Sequence, residues 1–348
     1  MKYLGIDVSK KSSHYYLSDA NGERLKSGKL ENVPILFADF VAKHAGEEGL
    51  FVALEVGNVT FGLARAMEAA GADVFIVNPY RNALIRESLA KTDSLDAKQL
   101  CEQRRLNQLP RHGVQIPEKN SEELRYLVSL RARLLVNQRT RLSNMAVRVA
   151  ERHCYYPKKS ALSNGPAWEQ ILNEAKGWPA GEALGIRLEY EQAALIRKQL
   201  AEIDRQIANR VASEPFRSDT LLLETIPGLG EVTIACLVAR IGDIKRFPTA
   251  KAFCQYTGLA PSQRQSGKKV GSGRITKEGN ALLRGYITQA AIGVIRRKAE
   301  GDPLYCWYEK ILRKKGWKKG RVALARKLAA VVFGVLKHRR PYDPAALA

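Results

Sequence analysis

Short apolar runs separated by turn and helix signals fill the first 80 residues, and they constrain the fold more than any other feature. In chain order the strand-like runs are KYLGIDV, SHYYLSD, RLKSGKL, FVALEVG and ADVFIVNP. Asn21-Gly22 lies between the second and third runs and is a strong hairpin signal. Helical patterns follow the third run, near 33–46, and the fourth, at FGLARAMEAAG. A hairpin followed by alternating helix and strand predicts an α/β layer with a mixed sheet, in a first domain spanning 1–115.

Two long polar helices predict a coiled-coil segment over 116–215. In the first helix, predicted at 120–153, apolar residues recur every seven positions: Val128, Leu135, Leu142 and Val149. The second helix is predicted at 183–213. Between them, the Pro-, Gly- and Ser-containing stretch 154–182 predicts an irregular excursion. The apolar stripe suits either an antiparallel helix pair or a dimer arm.

The last part, 216–348, is predicted to be mostly α-helical and to contain a glycine turn and a serine loop. Gly228 and Gly230 lie between two helical runs in ETIPGLGEVTIACLVARIG. This pattern resembles a helix-hairpin-helix, whose turn exposes backbone N–H groups to a phosphate. Downstream, a Gly- and Ser-rich loop containing Ser262 and Ser266 leads into another helix.

The charge of the chain indicates a polyanionic partner. With 57 Lys+Arg against 35 Asp+Glu the net charge is +22, and nucleic acid is a commoner partner of such a chain than a membrane surface. Between 265 and 340 there are 20 Lys+Arg and four acids, interleaved with Trp307 and Trp317, which could stack on bases. The basic residues singled out as nucleic-acid contacts are Lys268, Lys269, Arg274, Lys277, Arg131 and Arg139. The first four could neutralise a scissile phosphate or grip the backbone, whereas the arginines of the long helix could equally form a solvated face.

Cysteine and histidine usage points to a cytoplasmic location. The five cysteines are scattered without CxxC pairing, which is typical of reduced thiols, and the five histidines are too dispersed to predict a ligand cluster. No apolar run approaches the roughly 20 residues of a membrane span. The N-terminus has no signal-peptide pattern. We therefore expect no membrane partner.

Four carboxylates are candidates for a catalytic site. Asp7 and Glu55 each end an apolar strand, where an acid is costly unless it is paired or binds a cation. Asp93 and Asp96 lie three residues apart at the start of a helix, where they repel each other. Helix capping by Asp93, with Asp96 in the first turn, would explain the helical pair alone. All four are explained together by a phosphodiester site with two Mg²⁺ ions, since two ions about 3.5–4 Å apart need several convergent carboxylates.

These motifs together resemble one family. Asp7, Glu55 and KTDSLDA match the DEDD pattern of RuvC-like transposases, and IPGLG, GLAPSQRQSG and ITKEGNALLRGYITQAA resemble the C-terminal domain of the same proteins. Over nearly its entire length the chain is similar to insertion-sequence-110 transposases, which include the Piv/MooV invertases and the bridge-RNA-guided recombinases. The resemblance implies an RNase H-like (RuvC-like) first domain. It also implies a site of Asp7, Glu55, Asp93 and Asp96 that binds Mg²⁺, with Mn²⁺ as an alternative.

The resemblance further implies that Ser266 is a nucleophile that forms a covalent serine–phosphate link, with Ser262 as a competitor in the same loop. A serine hydroxyl needs a base or a metal to activate it, and the loop contains no histidine. We therefore expect Ser266 to form a composite site with the acidic cluster across a dimer interface. The family implies donor and target DNA, a structured bridge RNA as guide, and homodimers that pair into tetramers. It also implies a bacterial or archaeal cytoplasm, with association to the nucleoid.

Three functions remain distinct at this stage. The first is a recombinase that cuts and rejoins DNA through Ser266 and the acidic site. The second is a Holliday-junction or structure-specific endonuclease with the same acids, in which a metal-activated water attacks and Ser266 is structural. The third is a nucleic-acid binder without catalysis, in which the acids are caps and core irregularities.

Overall fold

The protein was studied as a computed structural model that describes residues 1–78, 92–110, 113–158, 162, 165–266, 269–298 and 301–345. For residues 135–136, 263–266 and 269–274 it describes the backbone alone. The chain forms two compact units, Met1–Pro117 and Glu118–Ala348.

The first unit is built on a five-stranded mixed sheet. Its elements are β1 (Lys2–Asp7), β2 (Ser12–Ser18), β3 (Arg24–Glu31), α1 (Pro34–His44), β4 (Leu50–Glu55), α2 (Thr60–Ala69), β5 (Asp73–Val77) and α3 (Asp93–Arg105). The strand order is β3-β2-β1-β4-β5. β1 and β3 each pair with β2 antiparallel, whereas β1 and β5 each pair with β4 parallel. The predicted mixed sheet is confirmed, and so is the hairpin turn, where Gly22 has a φ of 91°.

One face of the sheet carries the main core of the unit. Leu4, Ile6, Val52 and Leu54 alternate along β1 and β4 and are at most 1% exposed, together with side chains of α1 and α2. Both helices lie in connections that lead to the next parallel strand, α1 before β4 and α2 before β5, and such crossovers cover the face of the sheet.

The opposite face is covered by α3, and Gly5 permits the close approach. A Cβ atom at Gly5 would lie 2.9 Å from Cys101 Cβ and still closer to the backbone of Ala97. The Cys101 thiol donates to the carbonyl of Tyr3 over 3.1 Å. A glycine in the middle of this strand therefore brings the backbone of α3 into contact with β1.

The second unit begins with an antiparallel helix pair. The first arm is α4 (Lys119–Arg133), a π-helical segment (Leu134–Arg139) and α5 (Thr140–Arg152), and the return arm is α7 (Ala180–Val211). Leu124, early in the first arm, packs in one cluster with Ile207, late in the return arm. Leu142, late in the first arm, packs in another cluster with Ile186, early in the return arm. The sequence suited either an antiparallel helix pair or a dimer arm, and the structure shows the antiparallel pair within one chain.

The expectation of an irregular stretch over 154–182 is wrong for its second half. Gly165–Ala175 forms helix α6, which packs against α7. The reason is Trp168, which is fully buried and donates its indole N–H to the carbonyl of Leu162 over 2.9 Å. Burial of one large aromatic side chain outweighs the local Pro and Gly signals.

A helical bundle completes the second unit. Its elements are α8 (Arg217–Glu224), α9 (Glu231–Ile241), α10 (Ala250–Tyr256), β6 (Pro261–Ser266), β7 (Lys269–Ile275), α11 (Ala281–Arg297) and α12 (Pro303–His338). The predicted serine loop is thus a two-stranded antiparallel hairpin, β6–β7, and the loop prediction is wrong for these residues. In α12, Gly316 has a φ of 75° and a ψ of 167°, so that the helix is broken there. Across the described residues, every helix is too short or too polar to cross a membrane.

Candidate metal centre

The carboxyl end of β1 brings residues of three strands together. In the antiparallel pairing with β2, Asp7 lies opposite His14. In the parallel pairing with β4, Ile6 lies opposite Leu54, and the next step of that register puts Glu55 beside Asp7. Directly opposite residues point to the same face of a sheet, so Asp7, His14 and Glu55 share one face.

Helix α3 places its first turn over that same face. Asp7 follows Gly5 by two residues and therefore points to the side on which α3 packs. Ala97 lies against Gly5. Asp93 lies one helical turn before Ala97, and this places it towards Asp7. The same close contact that Gly5 permits thus sets the distance between the strand acids and the helix acids.

Asp93 is not the N-cap of α3, and the capping interpretation is wrong on this point. The N-cap is Thr92, whose side chain accepts a hydrogen bond from the backbone N–H of Leu95. Asp93 and Asp96 both lie in the first turn, where the helix dipole favours negative charge. The dipole offsets part of their mutual repulsion, but the capping requirement of this helix is met by Thr92.

Three side chains form a group with the spacing of metal ligands. One ligand atom each from Asp7, His14 and Asp93 lies within 4.8 Å of the others. His14 Nδ1 is 3.4 Å from Asp93 Oδ2. Ser9 donates its hydroxyl to the same carboxylate oxygen over 3.5 Å. His14, for which the sequence predicted no ligand cluster, thus lies in a group with the spacing of metal ligands.

The electrostatics of the cluster disfavour the ionised form of Asp7, which a bound cation would favour. Burial, followed by the charges of Asp93 and Asp96, raises the pKa of Asp7 to about 6, and His14 acts in the opposite direction. Asp96 is thus close enough to Asp7 to repel it, although the 4.8 Å group itself consists of Asp7, His14 and Asp93. Glu55 is on the neighbouring strand end, and its carbonyl accepts the Thr60 hydroxyl over 2.7 Å.

The donor set fits a divalent cation. Carboxylate oxygens are the preferred ligands of Mg²⁺ and Mn²⁺, and a bound cation would stabilise the ionised form of Asp7 that burial and its neighbours disfavour. The imidazole of His14 adds a nitrogen donor, which suits a transition metal such as Mn²⁺ better than Mg²⁺.

Structural contacts surround the other predicted residues for which side chains are described. Arg131 pairs with Asp204 and so links α4 to α7. Burial and the nearby Arg131 lower the pKa of Arg139. Gly228 has a φ of 86°, and a Cβ there would lie 2.7 Å from the carbonyl of Ala290.

The remaining predicted contacts are Gly230 and residues in or directly after the hairpin. Gly230 is the N-cap residue of α9. Lys277 has a φ of 57°, and its carbonyl accepts a hydrogen bond from Arg284 over 3.2 Å. Ser266 is the last residue of β6 and Lys269 the first of β7. The side chains of Ser266, Lys269 and Arg274 lie outside the described part, as does Lys268 altogether.

Comparison with known proteins gives matches along nearly the whole chain. A DEDD transposase profile matches residues 4–153, and the profile described as "Transposase IS116/IS110/IS902 family" matches residues 220–306. The transposase for insertion sequence element IS1328 of Yersinia enterocolitica is 25% identical over 95% of this chain and 96% of its own length. The transposase for IS1111A of Coxiella burnetii is 30% identical over 36% of this chain and 34% of its own. The pilin gene-inverting protein of Moraxella bovis is 31% identical over 41% of this chain and 45% of its own.

Proposed function

Because the chain belongs to the IS110 family of transposases, whose members cut and rejoin DNA strands, we propose that it does so with a divalent metal at Asp7, Glu55, Asp93 and Asp96 and with Ser266 as nucleophile. The observation that carries this proposal is the acidic cluster at the end of β1. Residues of β1, β2 and α3 meet there around Asp7. The pKa of Asp7 is raised by burial and by the helix aspartates. Perturbed acids gathered in this way are typical of catalytic sites and favour a catalytic function over binding alone.

The sheet topology supports an RNase H-like, RuvC-like identity for the first unit. Three antiparallel strands are followed by two parallel ones, in the order β3-β2-β1-β4-β5, and the acids lie where β1 and β4 end. Ligand sites in open α/β sheets lie at the carboxyl ends of parallel strands.

Each group of residues has a distinct part in the proposed chemistry. The four acids hold the metal, and the imidazole of His14 supplies a further donor atom beside Asp93. When bound, the divalent ion neutralises the charge that develops on the phosphate and lowers the proton affinity of an attacking hydroxyl. The Ser266 oxygen bonds to phosphorus, and a deoxyribose oxygen leaves as a hydroxyl, so that the DNA strand is linked to the protein. Attack on that link by a deoxyribose hydroxyl restores the serine and joins a strand.

Guidance by a structured RNA is part of the proposal and is supported by family resemblance and charge alone. The chain carries 57 Lys+Arg against 35 Asp+Glu, and arginines recur along the first arm of the helix pair. If base pairing with such an RNA selects the target, target sequence is not encoded in protein side chains. We also propose that homodimers pair into tetramers and act at the nucleoid.

The test is strand exchange by the purified protein together with its copurified RNA, in Mg²⁺ and in Mn²⁺. We expect a covalent protein–DNA adduct that Ser266→Ala abolishes and Ser262→Ala retains, and we expect Asp7→Asn to abolish both adduct and exchange. Ribonuclease treatment should stop exchange. Full strand exchange by Ser266→Ala would exclude the serine as nucleophile. Metal-dependent cleavage without an adduct would favour the endonuclease, in which water attacks.

A further inference from the structure

A groove in the second unit has the chemistry of a nucleic-acid site. It lies between α10, the base of the β6–β7 hairpin and α12, and its volume is about 1380 Å³. Six lysines line it: Lys251, Lys277, Lys315, Lys318, Lys319 and Lys327. We call it the lysine groove.

The charge of the lysine groove is one-sided. Besides the six lysines it is lined by Arg326, and none of its lining residues in the described part of the chain is acidic. Like charges gathered in a concave surface raise the local potential and attract a polyanion. Lys315 and Lys318 lie on either side of the helix break at Gly316 and are both exposed, so their ammonium groups are available to a ligand.

The floor of the groove is apolar, which distinguishes it from a simple phosphate track. Trp307, Val322 and Ile275 contribute to it. A duplex keeps the faces of its bases stacked and offers only base edges, sugars and phosphates, whereas a single strand can place unstacked bases on an aromatic and aliphatic floor while its phosphates reach the lysines. The apolar floor and the lysines around it, which form the rim of the groove, therefore fit a single strand of nucleic acid.

The position of the groove favours DNA. Pro261 and Ile275, which are paired across the base of the hairpin, both line it. β6 runs from Pro261 to Ser266, so the proposed nucleophile is one short strand away, about 17 Å at 3.3 Å per residue. A strand held in the groove would enter the hairpin that carries the serine.

We propose that the lysine groove binds single-stranded DNA next to the scissile phosphate, with the bases on the Trp307 floor and the phosphates on the lysine rim. The choice of DNA over RNA rests on the proposed function, because it follows from the position of Ser266.

The experiment measures the affinity of the full-length protein for one sequence as labelled single-stranded DNA, as duplex DNA and as single-stranded RNA, at several salt concentrations. The test variant is Lys315→Ala/Lys318→Ala/Lys319→Ala. The matched control is Lys310→Ala/Arg313→Ala/Lys314→Ala, which removes the same charge from the same helix at positions outside the groove. Both sets are on exposed positions, so both variants should fold.

We expect the groove variant to bind single-stranded DNA about 100-fold more weakly at 0.1 M salt and its log–log salt slope to fall by about 2, since each phosphate contact on a single strand contributes about 0.7 to that slope. The control variant should lose about twofold. Trp307→Ala should weaken single-strand binding about 5- to 150-fold with the slope unchanged, because stacking does not release counterions, and Trp307→Phe should restore most of it.

Three results would overturn the proposal: an equal loss in the control variant, no loss in the groove variant, or a larger loss for RNA than for DNA. The second would indicate that the groove is covered by protein, and the third that guide RNA occupies it. The readout is separate from that of the proposed function. If Ser266→Ala leaves strand exchange intact, the nucleophile assignment fails while the binding data still decide on the groove.

Discussion

Replacing Asp7 by asparagine should stabilise the metal-free protein at neutral pH while abolishing DNA cleavage. In the folded state the pKa of Asp7 is raised from 3.8 to about 6, with burial as the largest cause and the charges of Asp93 and Asp96 next. An acid with a raised pKa binds its proton more tightly in the folded protein. Stability is therefore lost as the pH rises from about 4 to about 6, and the whole penalty is present above that range.

The size of the effect follows from the shift. A change of about 2 pKa units sets a ceiling of about 3 kcal/mol at 1.36 kcal/mol per unit. Asp7 is only partly buried, so solvent screening reduces this to about 1–2 kcal/mol. Asparagine keeps the shape of the side chain and carries no charge, so it removes the penalty.

Hydrogen exchange of the β1 amides measures this locally, which is necessary because a chain of two units need not unfold in one step. At pH 7.5 without divalent ions, the β1 amides of Asp7→Asn should exchange about 5- to 30-fold more slowly than those of the wild type. At pH 4 the two proteins should be nearly equal. Adding Mn²⁺ should slow exchange in the wild type alone, because only the wild type retains the full ligand set. Faster exchange in the variant at pH 7.5 would refute the electrostatic reasoning.

Three further experiments test the architecture of the site and of the helix pair. Gly5→Ala should destabilise the first unit by about 3 kcal/mol and abolish metal-dependent cleavage. Gly62→Ala, with open space around it in α2, should stabilise the first unit by about 1 kcal/mol. Thermal melts measure both changes in stability. His14→Ala should raise the Mn²⁺ concentration that gives half-maximal cleavage about tenfold, and it should raise the corresponding Mg²⁺ concentration by a smaller factor. If both metal concentrations are unchanged, His14 is excluded from the site. Arg131→Gln and Asp204→Asn should show about 1 kcal/mol of coupling in a double-mutant cycle of stability, and additive effects would contradict the ion pair.

The parts of the fold predicted from sequence are those in which local pattern and burial agree. The sequence pattern gave the correct type for all five strands: β1, β2, β4 and β5 are apolar runs that contribute buried residues, and β3 was indicated by the hairpin signal at Asn21-Gly22 although it is exposed. The placement of Asp7 and Glu55 at the ends of neighbouring strands was also predictable, since the carboxyl ends of neighbouring parallel strands lie at one edge of the sheet.

The parts that sequence reasoning missed depend on register and on long-range packing. His14 joins the cluster only because the β1–β2 register sets it opposite Asp7, and a shift of one residue would turn it to the other face. The position of Asp93 depends on the missing Cβ of Gly5, which no local pattern reveals. The serine loop was mistaken for irregular chain because Gly and Ser weaken the strand signal in GKKVGSGRI.

The ligands at the end of β1 are collected from positions 7 to 96, and this has a consequence for how the protein is made. The hairpin of β1 to β3 has low contact order and can form as soon as about 30 residues are available, but at that point it holds only Asp7 and His14. Both crossovers and α3 must follow before the carboxylates meet. If the proposed ligands bind the metal, a chain still being synthesised acquires its divalent-ion affinity only after the whole first unit has emerged, and shorter fragments lack the proposed site for cutting nucleic acids.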